Sequence, residues 1–270
     1  MTQARKEKIR IAHSPDSDDA FMFYGLATGK VISSEFEFLH ELNDIESLNQ
    51  AALKGEYEVT AVSIHAYAYL QDKYQLLDTG ASMGEGYGPI VVSARAFSKE
   101  ELVGPLVAIP GHRTSAFLAL KLFEKDVRSC VVPFDRIIAS IQRGNVDAGV
   151  LIHEGQLTYH EEGLHKIVDL GEWWLKETGL PLPLGGNVIR RDIGVEKIEK
   201  ISGLLRKSIE YAIAHRMEAL DYAQTYSRGL NPDQADQFVD MYVNERTLEL
   251  KEDGRKSIQF FFNATHWSRW

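Results

Sequence analysis

Short apolar runs alternate with segments of helical period along most of the chain, and that alternation restricts it to α/β architectures. Residues 8–13 (KIRIAH) read as a strand, 18–30 as a helix with acidic residues at its start, 35–40 as a second strand and 44–55 as a second helix. In that second helix Asp44 and Glu46 suit the positive end of the helix dipole and Gly55 supplies the stop. Residues 57–63 (YEVTAVS) form a third strand leading into a helix at 65–72. The same grammar resumes with strands at 89–94, 106–109, 130–134, 147–152, 164–170 and 185–190, and helices at 114–123, 135–144 and 171–178. After Asp192 the pattern is helical through Tyr226, then again at 232–244 and 253–263.

Two runs of βα units followed by a helical tail predict two lobes. Residues 1–88 and 192–270 are expected in the first and 89–191 in the second. The Gly/Pro-punctuated stretches 83–89 (MGEGYGP) and 181–187 (PLPLGGN) are the expected crossings, and a cleft between lobes is the default place for a small ligand. The 30 Lys and Arg against 39 Asp and Glu give a net charge of −9, which argues against nucleic acid as partner. One cysteine, Cys130, excludes a disulfide framework and any multi-cysteine metal site. The basic start of the chain is followed by only a brief apolar run, too short for a signal-peptide core or a membrane span. The expectation is a cytoplasmic protein, not associated with a membrane, that acts on a small molecule.

Three tempting motifs fail on spacing. Gly25-Leu-Ala-Thr-Gly29-Lys30 has one residue too few between its glycines for a phosphate loop, and Val31 stands where Ser or Thr would bind Mg²⁺. Gly84-Glu-Gly86-Tyr-Gly88 lacks the dinucleotide spacing. His153-Glu154 begins like a zinc-protease site, but Leu157 occupies the place of the second histidine.

The candidates that survive sit at strand tips, where open α/β sheets bind ligands. Asp16, Asp18 and Asp19 follow the first strand. Three readings stay open for them: a Mg²⁺ site, a capping cluster, or a polar loop with Ser14 and Ser17 facing a ligand. Thr114, Ser115 and Ala116 open a helix after the LVAI strand, where hydroxyls and free amides suit a carboxylate or simply cap the helix. Ser63 occupies the matching tip of the first lobe. His153 closes an apolar strand, and a general base and a structural histidine bonded to a carbonyl carry roughly even weight there. His112, His160, His165, His215 and His266 read as surface residues, and Trp173, Trp174 and Tyr159 as packing.

At these residues the sequence resembles the 1,4-dihydroxy-6-naphthoate synthases of the futalosine route to menaquinone. The matching stretches are 14–24 (SPDSDDAFMFY), 88–92 (GPIVV), 108–117 (AIPGHRTSAF), 134–159, 167–185 (IVDLGEWWLKETGLPLPLG) and 208–220. At the first strand tip this chain has Ser14-Pro-Asp-Ser-Asp-Asp-Ala20-Phe21 where the familiar form is Ser-Pro-Cys-Pro-Asn-Asp-Thr-Phe. The resemblance implies a two-lobed fold like the type 2 periplasmic binding proteins, a ligand cleft between lobes, and no metal or organic cofactor. It implies a lyase reaction converting cyclic dehypoxanthine futalosine to 1,4-dihydroxy-6-naphthoate with loss of the ribose-derived fragment. By position it implies His153 as proton acceptor, with Ser115 and Ala116 as one substrate-binding pair and Ala61, Val62 and Ser63 as the other. Asp19 and Ser14 are expected at the same cleft, and Thr114 beside Ser115. Besides an Mg²⁺ phosphatase built on Asp16 and Asp18, two other functions remain as alternatives. One is a chorismate dehydratase of the same pathway, against which the His153-Glu154 and GLPLPLG segments speak. The other is a non-catalytic solute-binding or sensor protein.

Overall fold

The computed structural model describes residues 5–227 and 229–265. Strands β1 (Glu7–His13), β2 (Phe36–Leu42) and β3 (Val59–Ser63) run parallel, joined by helices α1 (Ser17–Ala27) and α2 (Ile45–Lys54) and followed by the single turn α3 (Ile64–Tyr67). Helix α2 starts and stops where its residue chemistry dictates. The Asp44 carboxylate accepts from the Glu46 and Ser47 amides, and Gly55 closes the helix at φ +76°. Strands β4 (Tyr74–Leu76) and β5 (Ser82–Gly84) were not expected; each has three residues, too few to show alternation. The expected helix at 65–72 shrinks to one turn.

The second series comprises β6 (Ile90–Ser93), β7 (Leu106–Ile109), α4 (Ser115–Phe123), β8 (Arg128–Val131), α5 (Ile137–Gln142), β9 (Ala148–Leu151), α6 (Gly155–Thr158), β10 (His165–Asp169), α7 (Leu170–Thr178) and β11 (Leu182–Arg190). The expected strand at 130–134 begins and ends earlier, and Pro133 leads into a 3₁₀ turn instead. Helices α8 (Val195–Ala214), α9 (Arg216–Gln224), α10 (Pro232–Tyr242), α11 (Glu245–Leu248) and α12 (Lys251–Thr265) complete the chain. No helix of the described residues is long and apolar enough to cross a membrane.

The strands form two sheets, one ordered β2-β1-β3-β11-β4 with β5 on β11, the other β10-β6-β9-β7-β8. Contacts divide the chain into two compact units. The first holds the chain up to Val62, Tyr69–Ser82 and Gly185–Leu250; the second holds Ser63–Ala68, Met83–Leu184 and the helix from Lys251. In the first unit α1 is buried along nearly its whole length, and Phe21 and Phe23 join Ile9, Ile11, Leu205 and Ile209 in one core. Gly25 lies where α1 meets α8, since a Cβ there would come within 3.0 Å of Ser208. That close approach is the reason for a glycine in the motif that imitates a phosphate loop. In the second unit Ile90, Val92, Ala108, Ile137, Ile141 and Leu151 form the core. Interior strands β6 and β9 are buried on both faces, while the edge strand β8, which carries half-buried Cys130, is not.

Helix α12 falls in the second unit, whereas the expected division placed 192–270 with the first. Buried Trp174 explains the difference: its ring meets Phe260 and Phe261 edge-on, and Ser257 Oγ donates to the Pro181 carbonyl at 2.6 Å. Trp173 meets Phe123 in an edge-to-face contact, and half-buried Tyr159 lies against the second core.

The glycines of 84–88 also have a packing explanation. A Cβ on Gly84 would sit 2.0 Å from the Tyr87 carbonyl oxygen, and one on Gly171 would sit 1.9 Å from the same atom. Gly203, in α8, has open space around it. Gly171→Ala is therefore expected to destabilise by about 3 kcal/mol or more. Gly203→Ala is expected to stabilise by about 0.5–1 kcal/mol. Urea midpoints moving in the same direction for the two variants would contradict this packing.

Candidate active site

In the first unit the polar groups gather at the carboxyl end of β1. Ser14, Asp16, Ser17, Asp18 and Asp19 are all buried. Asp16 holds the N-cap position of α1, yet its side chain makes no capping hydrogen bond. Asp19 instead reaches back, its Oδ2 accepting from the Ser14 amide at 2.7 Å. The Asp16 side chain is thus not a simple cap, and carboxylates in the first turn still gain from the helix dipole. Among the described residues no group of three or more His, Cys, Asp or Glu side chains is placed to hold a metal ion.

Beneath Ser14 lies an imidazole that the expected site did not include. The His13 ring stacks on Phe23 with centroids 4.3 Å apart, its Nδ1 lies 3.1 Å from the Ser14 carbonyl, and its Nε2 lies 3.3 Å from His40 Nδ1. Burial pushes the pKa of each of these histidines down to about 4, with the neighbouring His40 adding to the effect on His13. Both rings are neutral at physiological pH.

In the second unit, strand register puts the candidate groups along one edge. Strands β7, β8 and β9 are mutually parallel, with Ile109 opposite Val131 and Ala108 opposite Gly149. Antiparallel β6 begins at Ile90, opposite both Leu151 and Asp169. The loop to α4, the turn at Phe134, the turn at His153 and the start of α7 therefore leave the sheet at the same end, the carboxyl end of its parallel strands.

Helix α4 opens at that edge. Thr114 is its N-cap, its Oγ1 accepting from the Phe117 amide at 3.2 Å and donating to the Gly111 carbonyl at 2.8 Å. The Ser115 hydroxyl donates to the Leu184 carbonyl at 2.5 Å and accepts from the His65 amide at 3.2 Å. Both side chains are thus committed to the protein. What α4 offers a ligand is the backbone N–H groups of Ser115 and Ala116, its first two residues, which no helical carbonyl can take. His65, in α3, lies beside them with Nδ1 3.2 Å from the Thr114 carbonyl; burial, with a smaller contribution from nearby Arg113, lowers its pKa to about 4. Ser63 is the last residue of β3 and the N-cap of α3, so the tip 63–65 and the start of α4 meet through His65.

His153 follows β9 in a turn with φ +56°, one of two positive-φ non-glycine residues among the described residues. Histidine enters this left-handed region more readily than most residues, at a cost of order 1 kcal/mol. Its ring and that of Phe134 meet edge to face with centroids 5.2 Å apart, and its carbonyl accepts from the Gln156 amide at 3.1 Å. Sustained strain of this kind concentrates at functional sites, because only the surrounding structure can hold it.

Of the expected binding residues, Thr114, Ser115 and Ala116 share this edge with His153, and Ser63 belongs to the same unit. Ser14, Asp19, Ala61 and Val62 belong to the first unit. The Ala61 methyl packs in a cluster with Ala12, Leu48 and Tyr57, and Val62 is fully buried, which leaves their backbone for any ligand contact. His112, His160, His165 and His215 are exposed as expected, and His266 lies outside the described residues.

Residues 9–266 match the family described as menaquinone biosynthesis. The chain belongs to that family. A 1,4-dihydroxy-6-naphthoate synthase of Thermus thermophilus is 39% identical over 256 residues, covering 95% of this chain and 93% of the relative. One from Streptomyces coelicolor is 35% identical over 259 residues, covering 94% and 91%. A crystal structure of an Archaeoglobus fulgidus protein superposes with a TM-score of 0.91 at 48% identity, covering 96% of this chain and 97% of that one. An alkanesulfonate-binding protein from Xanthomonas axonopodis superposes with a TM-score of 0.73 at 12% identity, covering 98% and 95%. That likeness establishes the fold, which is that of the periplasmic binding proteins, on a menaquinone-biosynthesis enzyme.

Sequence reasoning missed His13, His40 and His65. A signal was present for two of them, since His13 adjoins Ser14 and His65 stands two residues after Ser63, both at strand tips. The buried rings of His13 and His65 and the half-buried ring of His40 carry a consequence for stability. Between about pH 6.5 and about pH 4 the unfolded chain takes up protons at these histidines while the folded protein does not. Stability is therefore full above that window and falls as the pH drops through it, by up to about 3 kcal/mol for one fully shifted ring. His65→Asn retains a donor near the Nδ1 position and does not titrate. Its urea midpoint is expected to fall less than that of the parent protein between about pH 7 and about pH 5, and an equal fall would contradict the neutral His65.

Proposed function

We propose that this enzyme converts cyclic dehypoxanthine futalosine to 1,4-dihydroxy-6-naphthoate, with His153 as the proton acceptor. The names of the two relatives, each aligned with more than nine-tenths of the chain, carry the choice of reaction. The strained His153 turn, on the sheet edge that also starts α4, supports the choice of base. Ser14, Asp19, Ala61, Val62, Ser63, Thr114, Ser115 and Ala116 are proposed to hold the substrate, Ala61 and Val62 through their backbone.

The residue types suit the chemistry. Loss of the ribose-derived fragment leaves an aromatic ring, and a positioned neutral imidazole can speed removal of the required proton by roughly 10²–10⁴-fold. The Ser115 and Ala116 amides are donors for a carboxylate or a developing oxyanion. The buried carboxylates at the first strand tip are acceptors for the ribose-derived hydroxyls of the substrate, which the naphthoate product no longer carries.

Asparagine tolerates the left-handed backbone at residue 153 better than alanine does, so His153→Asn separates loss of the base from strain. Incubation of the parent protein with cyclic dehypoxanthine futalosine is expected to release the naphthoate, detected by absorbance and mass. His153→Asn is expected to lose at least about 100-fold in kcat while still binding the substrate. Near-normal turnover by the variant would remove His153 from the base role. Absence of product with the parent protein would refute the reaction itself.

A further inference from the structure

The direction of the hydrogen bonds beneath Ser14 follows from elementary bonding. The Ser14 carbonyl can only accept, so His13 Nδ1 carries the proton of that neutral ring and Nε2 is a bare lone pair. His40 Nδ1, 3.3 Å from that lone pair, must then donate, and this leaves His40 Nε2 bare. That last atom is indeed buried with no hydrogen-bond partner among the described residues. The line from His40 through His13 to the Ser14 carbonyl therefore runs one way.

It grips one residue from one side while Asp19 grips it from the other. The Ser14 amide donates to Asp19 Oδ2 and its carbonyl accepts from His13, so the peptide groups flanking Ser14 are both fixed. The Ser14 hydroxyl has no hydrogen-bond partner among the described residues. Thr114 and Ser115 differ, their hydroxyls each being used twice within the protein. The stack on Phe23 adds a fixed ring plane for His13.

We propose that His13 and His40 form a neutral positioning relay that locks the Ser14 backbone and leaves its hydroxyl available to hydrogen-bond an oxygen of the ligand. The inference rests on the reading that Ser14 belongs to the substrate site. Neither histidine needs to touch the substrate; both act through Ser14.

Two substitutions of His13 separate positioning from packing. His13→Phe keeps an aromatic ring against Phe23 and removes the donor, whereas His13→Asn keeps an N–H near the Nδ1 position and removes the ring. The relay requires His13→Phe to raise KM about ten-fold or more with a smaller change in kcat, and His13→Asn to stay within a few-fold of the parent protein. A packing role predicts the reverse order, and that order, or equal effects, would overturn the proposal. His40→Leu and His40→Asn form a second pair with the same required order if a His13 variant fails to fold. Independently of activity, ring ¹⁵N spectra of the parent protein should show Nδ1 protonated and Nε2 bare on both His13 and His40. A proton on Nε2 of either neutral ring would overturn the relay. If the relay variants behave as required but Ser14→Ala leaves KM unchanged, the ligand role of the hydroxyl is overturned. If the parent protein yields no naphthoate, the proposed function falls and the ring spectra still decide the relay.

Discussion

Among the described residues, each unit has a buried neutral imidazole against a backbone carbonyl, His13 on Ser14 after β1 and His65 on Thr114 at the start of α4. The two distances, 3.1 and 3.2 Å, are nearly the same, and burial lowers each pKa to about 4. Neutrality and position are linked. A neutral ring can be buried at modest cost, and once its Nδ1 proton is given to a carbonyl its tautomer is settled. The polar loops at both tips are thereby built on groups that do not change charge at physiological pH. An exposed lysine or arginine in their place would be solvated and mobile, and would hold the carbonyls less firmly.

This arrangement separates polar groups that build the site from those left to work in it. At the second tip the Thr114 and Ser115 hydroxyls are spent on the protein, and the helix start is left with its amides. At the first tip the order is inverted, with amide and carbonyl of Ser14 spent and the hydroxyl left over. One tip thus presents donors fixed by a helix, suited to an anionic group. The other presents a hydroxyl among buried carboxylates, suited to a polyol. The net charge of −9 is a property of the whole surface and says little about either tip.

Much of the fold was legible because apolar periodicity and caps are local. Asp44 and Gly55 bound α2 in the structure as they do in the sequence pattern. The short strands β4 and β5 were not legible, since pairing with β11 rather than their own three residues defines them. Placement of α12 depended on Trp174 meeting Phe260 and Phe261, a contact between distant residues that no local pattern encodes. In the candidate site, the family resemblance marked His153 and the 114–116 helix start. The division of labour among hydroxyls was hidden, because a serine reads alike whether its oxygen is spent or free. His13, His65 and half-buried His40 were hidden for a related reason, their lowered pKa values arising from tertiary desolvation rather than sequence neighbours.

The central claim is that these strand tips, with His153, are where the substrate is held. It is tested most directly by titrating cyclic dehypoxanthine futalosine into ¹⁵N-labelled His153→Asn protein and following the backbone amides. The account requires saturable shifts at Ser14 and Asp19, at Ser63, at Ser115 and Ala116, and next to residue 153. Saturable binding that leaves those amides unmoved and shifts residues elsewhere, such as α9 and α10, would contradict it.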